Sequence, residues 1–103
     1  MPLFPLLMQK VEPVYGLAVV SPGGSLVIQP PSGDTWIIVN IYHEYDITLC
    51  VSDGTNTLCF DTDPGSGMYA EYAFIVTSNH YLVIKNNDSS NARMIGYSGF
   101  RLL

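Results

Sequence analysis

Two histidines, two cysteines and a scatter of carboxylates are the groups in this 103-residue chain that could carry acid–base, redox or metal chemistry. His43 stands beside Glu44 and Asp46, and His80 follows Ser78 and Asn79. A zinc site draws three or four ligands from His, Cys and carboxylate. Cys50 and Cys59 could join the histidines, but they lack the short C-x-x-C spacing, and both histidines fall outside the segment that the cysteines bracket. The residues therefore predict no metal centre, and both histidines read as surface residues at strand ends. Asp53, Asp61 and Asp63 offer oxygen ligands for calcium. The loop pattern that begins Asp61-Thr62-Asp63 breaks at Pro64, so a hydrated turn is expected there.

Nucleophilic catalysis fares no better. No serine sits in a G-x-S-x-G elbow, and Ser66, between Gly65 and Gly67, has no assigned base. Glu44 and Glu71 can be named as a carboxylate pair for glycoside hydrolysis, but nothing in their spacing singles them out. No glycine pattern of the phosphate-binding kind is present. The expectation is a protein without catalytic residues and without a cofactor.

The cysteines pose a geometric question. With a four-residue loop over Asp53–Asn56, Cys50 lies directly opposite Cys59 on a hairpin. Cross-strand Cβ atoms stand about 4.5–5.5 Å apart, whereas a disulfide prefers about 3.5–4.5 Å, so bridging is feasible with strain. A two-residue Asp53-Gly54 loop places Cys50 opposite Thr57 instead. In a reducing compartment two free thiols are expected.

The elements that must position these groups are strands. Apolar runs over residues 15–20, 25–29, 35–43, 47–52, 57–61, 72–77, 80–85 and 92–103 are separated by Gly, Pro, Asn and Asp clusters. No window sustains a helical period. In residues 35–43 both parities are mostly apolar, Trp36, Ile38, Asn40 and Tyr42 against Ile37, Val39, Ile41 and His43, which predicts a central strand. Residues 47–61 alternate cleanly, so that hairpin is expected to turn Ile47, Leu49, Val51, Leu58 and Phe60 to the core. Gly96 and Gly99 inside the last strand suggest a bulge or a close backbone approach. About eight short strands at this spacing predict an all-β antiparallel sandwich, jelly-roll-like. A small closed barrel is the other reading.

Residues 1–13 read as an extended arm ahead of a single domain over 14–103. Pro2, Pro5 and Pro13 oppose both helix and inner strand, yet Leu3, Phe4, Leu6, Leu7 and Met8 are too apolar for a solvated tail. They are expected to pack on their own domain or on another molecule. The start lacks the positive region of a secretory signal, and no stretch nears the ~18 apolar residues of a membrane span. The expected compartment is the cytosol.

Composition narrows the partners. The chain is 48% hydrophobic but only 13% charged, against about 25% charged in ordinary domains. Such a composition suggests either apolar surface covered by a partner or a well-filled sandwich with a Ser/Thr/Asn surface. The net charge is −5, and the four basic residues form no stripe for phosphates, so neither nucleic acid nor anionic lipid is expected as a partner. Most of the seven tyrosines and Trp36 are expected to be core or half-buried sheet residues, while any that are exposed offer a sugar-stacking platform or protein-contact area. Tyr69 and Tyr72, beside the glycine-rich loop at 65–67, are expected to be the most exposed.

Four motifs carry a resemblance: Pro30-Pro31-Ser32-Gly33-Asp34-Thr35-Trp36, Ser52-Asp53-Gly54-Thr55-Asn56, Val76-Thr77-Ser78-Asn79-His80-Tyr81-Leu82 and Gly96-Tyr97-Ser98-Gly99. Together, over residues 28–103, the chain resembles small β-sandwich proteins of tailed-phage virions. The third motif is one residue longer than the phage pattern. The resemblance implies a capsid decoration (cement) protein that binds the major capsid protein on the outside of the shell, assembles in the host cytoplasm and self-associates as a homotrimer. It also implies a mechanical role, in which Leu3, Phe4, Leu6, Leu7, Met8, Tyr69 and Tyr72 are the expected interface. A carbohydrate- or receptor-binding module of a phage tail or fibre is the alternative.

Overall fold

A computed structural model describes residues 10–103, which form nine antiparallel strands in two packed sheets and no helix. The strands are β1 (Val11–Val20), β2 (Ser25–Ile28), β3 (Thr35–His43), β4 (Ile47–Ser52), β5 (Thr57–Asp63), β6 (Gly67–Tyr69), β7 (Phe74–Thr77), β8 (Tyr81–Asn86) and β9 (Arg93–Leu102). One sheet runs β1-β9-β3, with β7 and β6 end to end along the far side of β3; the other runs β2-β8-β4-β5. The expected all-β sandwich is the observed architecture. No helix among the described residues is long and apolar enough to cross a membrane.

The core is the facing pair of sheet surfaces. Ile28, Ile38, Leu49, Leu82 and Ile84 are wholly enclosed there, with Ile41, Ile47 and Ile95 almost so. β-Branched residues dominate because a pleated, two-sided surface suits them. Trp36 and Tyr97 stack at 6.3 Å at the margin of this core.

Two bulges set which side chains reach it. In β3 the register shifts between Ile38 and Asn40, so Trp36 and Ile38 face inward before the shift and Ile41 and His43 after it. The simple parity expected for residues 35–43 is therefore broken at Val39. Gly99 accommodates the shift, since a Cβ there would collide with the Ile37 carbonyl. In β5 the shift falls between the pairs Leu49↔Asp61 and Cys50↔Cys59, which makes Phe60 the extra residue. Asp61 consequently turns to the same side as Phe60, opposite to the alternation read from sequence.

β1 also starts earlier than expected. Val11, Glu12 and Pro13, read as arm, pair with Leu102, Arg101 and Phe100. β1 is an edge strand. The Leu103 N–H donates to Lys10 O, and antiparallel alternation then aims the backbone groups of residues 11, 13, 15, 17 and 19 away from β9. Pro13 thus sits where a strand tolerates the loss of its N–H. The rest of the expected arm, with Leu3, Phe4, Leu6, Leu7 and Met8, lies outside the described residues.

The turn between β8 and β9 ties the two sheets together. Buried Asn86 donates to Val20 O, Ser21 O and Asn91 O. The Asp88 carboxylate accepts from the Ser90 and Asn91 N–H groups and from Arg93 Nε at 2.8 Å. These backbone donors, led by that of Ser90, and the Arg93 guanidinium hold its pKa down at about 2.

Candidate docking surface

His43 is buried, not a surface residue as its strand-end position suggested. Its Nδ1 lies 2.9 Å from Tyr45 O and 2.8 Å from Gly65 O, and Nε2 lies 2.8 Å from Asp63 Oδ2. Carbonyl oxygens only accept, so Nδ1 carries a hydrogen. The ring is a clip that fastens the loop after β5 to the end of β3. None of its partners is a nucleophile, and no lone pair remains aimed at a cleft, so the pair does not constitute catalytic machinery. The Asp46 carboxylate accepts the Gly65 N–H at 2.6 Å and closes the same loop. His80 is exposed in the β7–β8 turn, where its N–H donates to Thr77 Oγ1. Among the described residues no three of His, Cys, Asp and Glu are grouped to hold a metal ion.

Tyr69, expected to be among the most exposed tyrosines, is buried at 4%. It pairs with Ile41 on the inner face, and its hydroxyl donates to Asp61 Oδ2 at 2.8 Å. Burial, with the nearby Asp61 carboxylate, pushes its pKa well up. The β5 bulge explains the reversal, because it brings Asp61 round to meet a phenol that would otherwise lack a partner. Tyr72 is exposed and rests edge-on against Phe74. Trp36, packed against Tyr97 and the core, does not present a free ring face.

The cysteines form a disulfide, with Cα atoms 3.8 Å apart, instead of the expected free thiols. The four-residue loop is the one adopted: Ser52 pairs with Thr57, and Asp53 Oδ1 accepts the N–H groups of Thr55 and Asn56. Those two backbone donors, Asn56 foremost, lower the Asp53 pKa. The bridge lies on the outer face of the four-stranded sheet.

The hairpin departs from expectation in its burial. Ile47 and Leu49 are buried, but Val51, Leu58 and Phe60 are exposed. β5 is an edge strand, and beyond Phe74 and Val76 the opposite sheet offers nothing to cover its inner side. The result is an open apolar groove of about 490 Å³ lined by Val51, Leu58, Phe74, Val76, Tyr81 and Leu82 among others.

A second apolar surface is larger. On β1 the odd positions point outward: Tyr15, Leu17 and Val19 are 79%, 71% and 72% exposed. Cross-strand register places Met94 and Phe100 of β9 on the same face, Ile37 and Tyr42 of β3 next to them, and Ile75 and Met68 beyond. The inward positions of β1 include Gly16 and Ala18, small because the Tyr97 ring lies against Gly16. Large residues outside and small ones inside invert the usual order. That inversion was the signal available in residues 11–20, which otherwise read only as a short apolar strand.

The face carries little polarity. Asn40 Nδ2 donates to Ser98 Oγ at 3.2 Å, and Tyr42 Oη shares a hydrogen bond with the same oxygen at 2.9 Å. Glu44 at one end accepts the Met94 N–H. What the face offers is apolar area that can exclude water against a matching surface. Comparison with protein-family models and with curated proteins finds no match for this chain.

Proposed function

We propose that this chain is a non-enzymatic structural protein of a phage virion, a capsid decoration protein that binds the outer surface of the major capsid protein lattice and stabilises the head. One observation carries the reading: most of its exposed apolar residues fall into two separate surfaces, the outer face of the five-stranded sheet and the groove beside β5. A protein that cements a shell must hold more than one neighbour at once, and two such surfaces allow it. Apolar area excluded from water contributes roughly 25 cal/mol per Å² before association costs.

Other features support the same reading. Each sheet takes one strand from each of the successive pairs β1/β2, β3/β4 and β8/β9, which we read as a jelly-roll winding. The four motifs that resemble phage virion proteins occupy the turn before β3, the β4–β5 loop, the β7–β8 turn and the centre of β9. A disulfide suits a protein that faces the oxidising exterior of a virion. The glycan-binding alternative loses its tryptophan platform, since the Trp36 ring stacks on Tyr97.

The test is co-sedimentation of the purified chain with empty shells built from the capsid protein encoded beside it, followed by heating. Saturable binding and a raised shell-disruption temperature are expected. Failure to bind, combined with hits on a glycan array, would overturn the decoration reading in favour of a tail or fibre module.

A further inference from the structure

We infer that in the free protein the groove beside β5 is filled by this chain's own segment ahead of Lys10, with Leu3 and Phe4 seated between β5 and β7. The inference goes beyond the proposed function, under which the groove meets the shell only once that segment withdraws.

Reach is the first argument. Glu12 pairs with Arg101, Arg101 with Trp36, and Trp36 with Val76. The start of β1 therefore lies level with the β7 wall of the groove. Three strand spacings of about 4.8 Å separate the two, roughly 14 Å in all. The hydrogen bond from the Leu103 N–H to Lys10 O fixes the point of departure at that end of the sandwich. An extended chain covers about 3.3 Å per residue, so the stretch from Lys10 back to Phe4 spans about 20 Å and arrives at the groove.

The backbone edge is the second argument. The Asp53 N–H donates to Asn56 O, and alternation along the hairpin then aims the N–H and C=O groups of Thr57 and Cys59 away from β4. β5 ends its sheet, so among the described residues no strand lies on that side. Edges of this kind are commonly blunted by Lys or Pro. Residues 57–59 contain neither, whereas the edge strand β1 carries Pro13. An apolar groove with a bare strand edge along one wall suits an extended peptide, which adds to the edge while alternate side chains fill the groove. Phe4 precedes Pro5, and a residue before proline is biased to the extended region.

Polarity is the third argument. Residues 1–9 contain no charged side chain. The groove is lined by Leu58, Phe74, Val76 and Leu82, and its one carboxylate, Asp53, already accepts the Thr55 and Asn56 N–H groups. Seating Leu3 and Phe4 there covers apolar area and strands no charge.

The experiment is hydroxyl-radical footprinting of the full chain without shells, at nanomolar and at micromolar concentration, with exposed Tyr15 as the reference. Leu58, Phe74 and Tyr81 are expected to be protected at both concentrations. Phe4→Ser combined with Leu3→Ser should raise their labelling severalfold and leave that of Tyr15 as it was. Leu58→Asp, at an exposed site, should in turn raise the labelling of Phe4. Should L58D fail to fold by circular dichroism, Leu58→Ser is the milder variant with the same expected outcome. Protection that disappears on dilution assigns the groove to a second copy and overturns the inference. Equal labelling of the three groove residues in the native chain and the double variant also overturns it. Neither result touches the decoration reading, which fails only if shells are not bound.

Discussion

The outer faces of the two sheets obey different rules. That of the four-stranded sheet carries Ser25, Thr48, Thr57, Thr62 and Lys85 around the Cys50–Cys59 bridge, with Val27, Tyr81 and Val83 interspersed. It is the mixed surface that water tolerates. The outer face of the five-stranded sheet carries Tyr15, Leu17, Val19, Ile75, Met68, Met94 and Phe100 in exposed positions. Both sheets need only their inner faces to hold the sandwich together. The contrast therefore teaches that the apolar outer face was not required by folding, which is what leaves it free for the contact role we propose.

The contrast is sharpest when the inside is compared with the outside. Leu49→Ala, at a fully enclosed site, should cost about 2–5 kcal/mol of stability. Leu17→Lys, equally drastic in chemistry, should change it by no more than about 0.5 kcal/mol. Urea unfolding, read by far-UV circular dichroism, checks both. If Leu17→Lys unfolds the monomer, the outer face is part of the core and the contrast collapses.

A smaller effect separates the two sheets. The bridge closes a short loop, with a sequence separation of nine, and chain-entropy reasoning gives about 2–3 kcal/mol for such a link. Replacing both cysteines with serine should lower the urea midpoint accordingly while leaving hydroxyl-radical labelling of Tyr15 and Met94 on the other sheet untouched, because the link braces only the β4–β5 edge. Altered labelling of those two residues in the double variant would show that the two sheets do not act independently.

The smallest expected effect lies at the seam between them. The Asp88 pKa falls from an ordinary 3.8 to about 2 in the folded chain. A group depressed on folding adds stability above its unfolded value, and that contribution disappears as pH drops from about 4 through about 2. Thermal melts between pH 6 and pH 2 should therefore show a decline that Asp88→Asn flattens, with the variant already less stable at pH 6. Parallel curves for the two proteins would remove Asp88 from the seam.

Much of this was legible along the chain. Alternation, β-branched runs and Gly/Pro/Asn punctuation determine the strands and hence the all-β class, because period-2 patterning and turn chemistry are local properties. The Asp53–Asn56 loop that opposes Cys50 to Cys59 was one of two local readings, and the bridge replaces the free thiols expected there. What only the tertiary structure decided depends on contacts far apart in sequence. The bulges at Val39 and Phe60 reverse side-chain facing, so the burial of Tyr69 and the inward turn of Asp61 follow from cross-strand register. His43 meets Asp63 and Gly65, 20 and 22 residues away, only because the hairpin brings them back. Leu58 and Phe60 look like core residues in sequence and are exposed because, beyond Phe74 and Val76, the opposite sheet sets nothing against them. Hydrophobicity is a property of each residue, but whether a face is covered depends on what the fold sets against it.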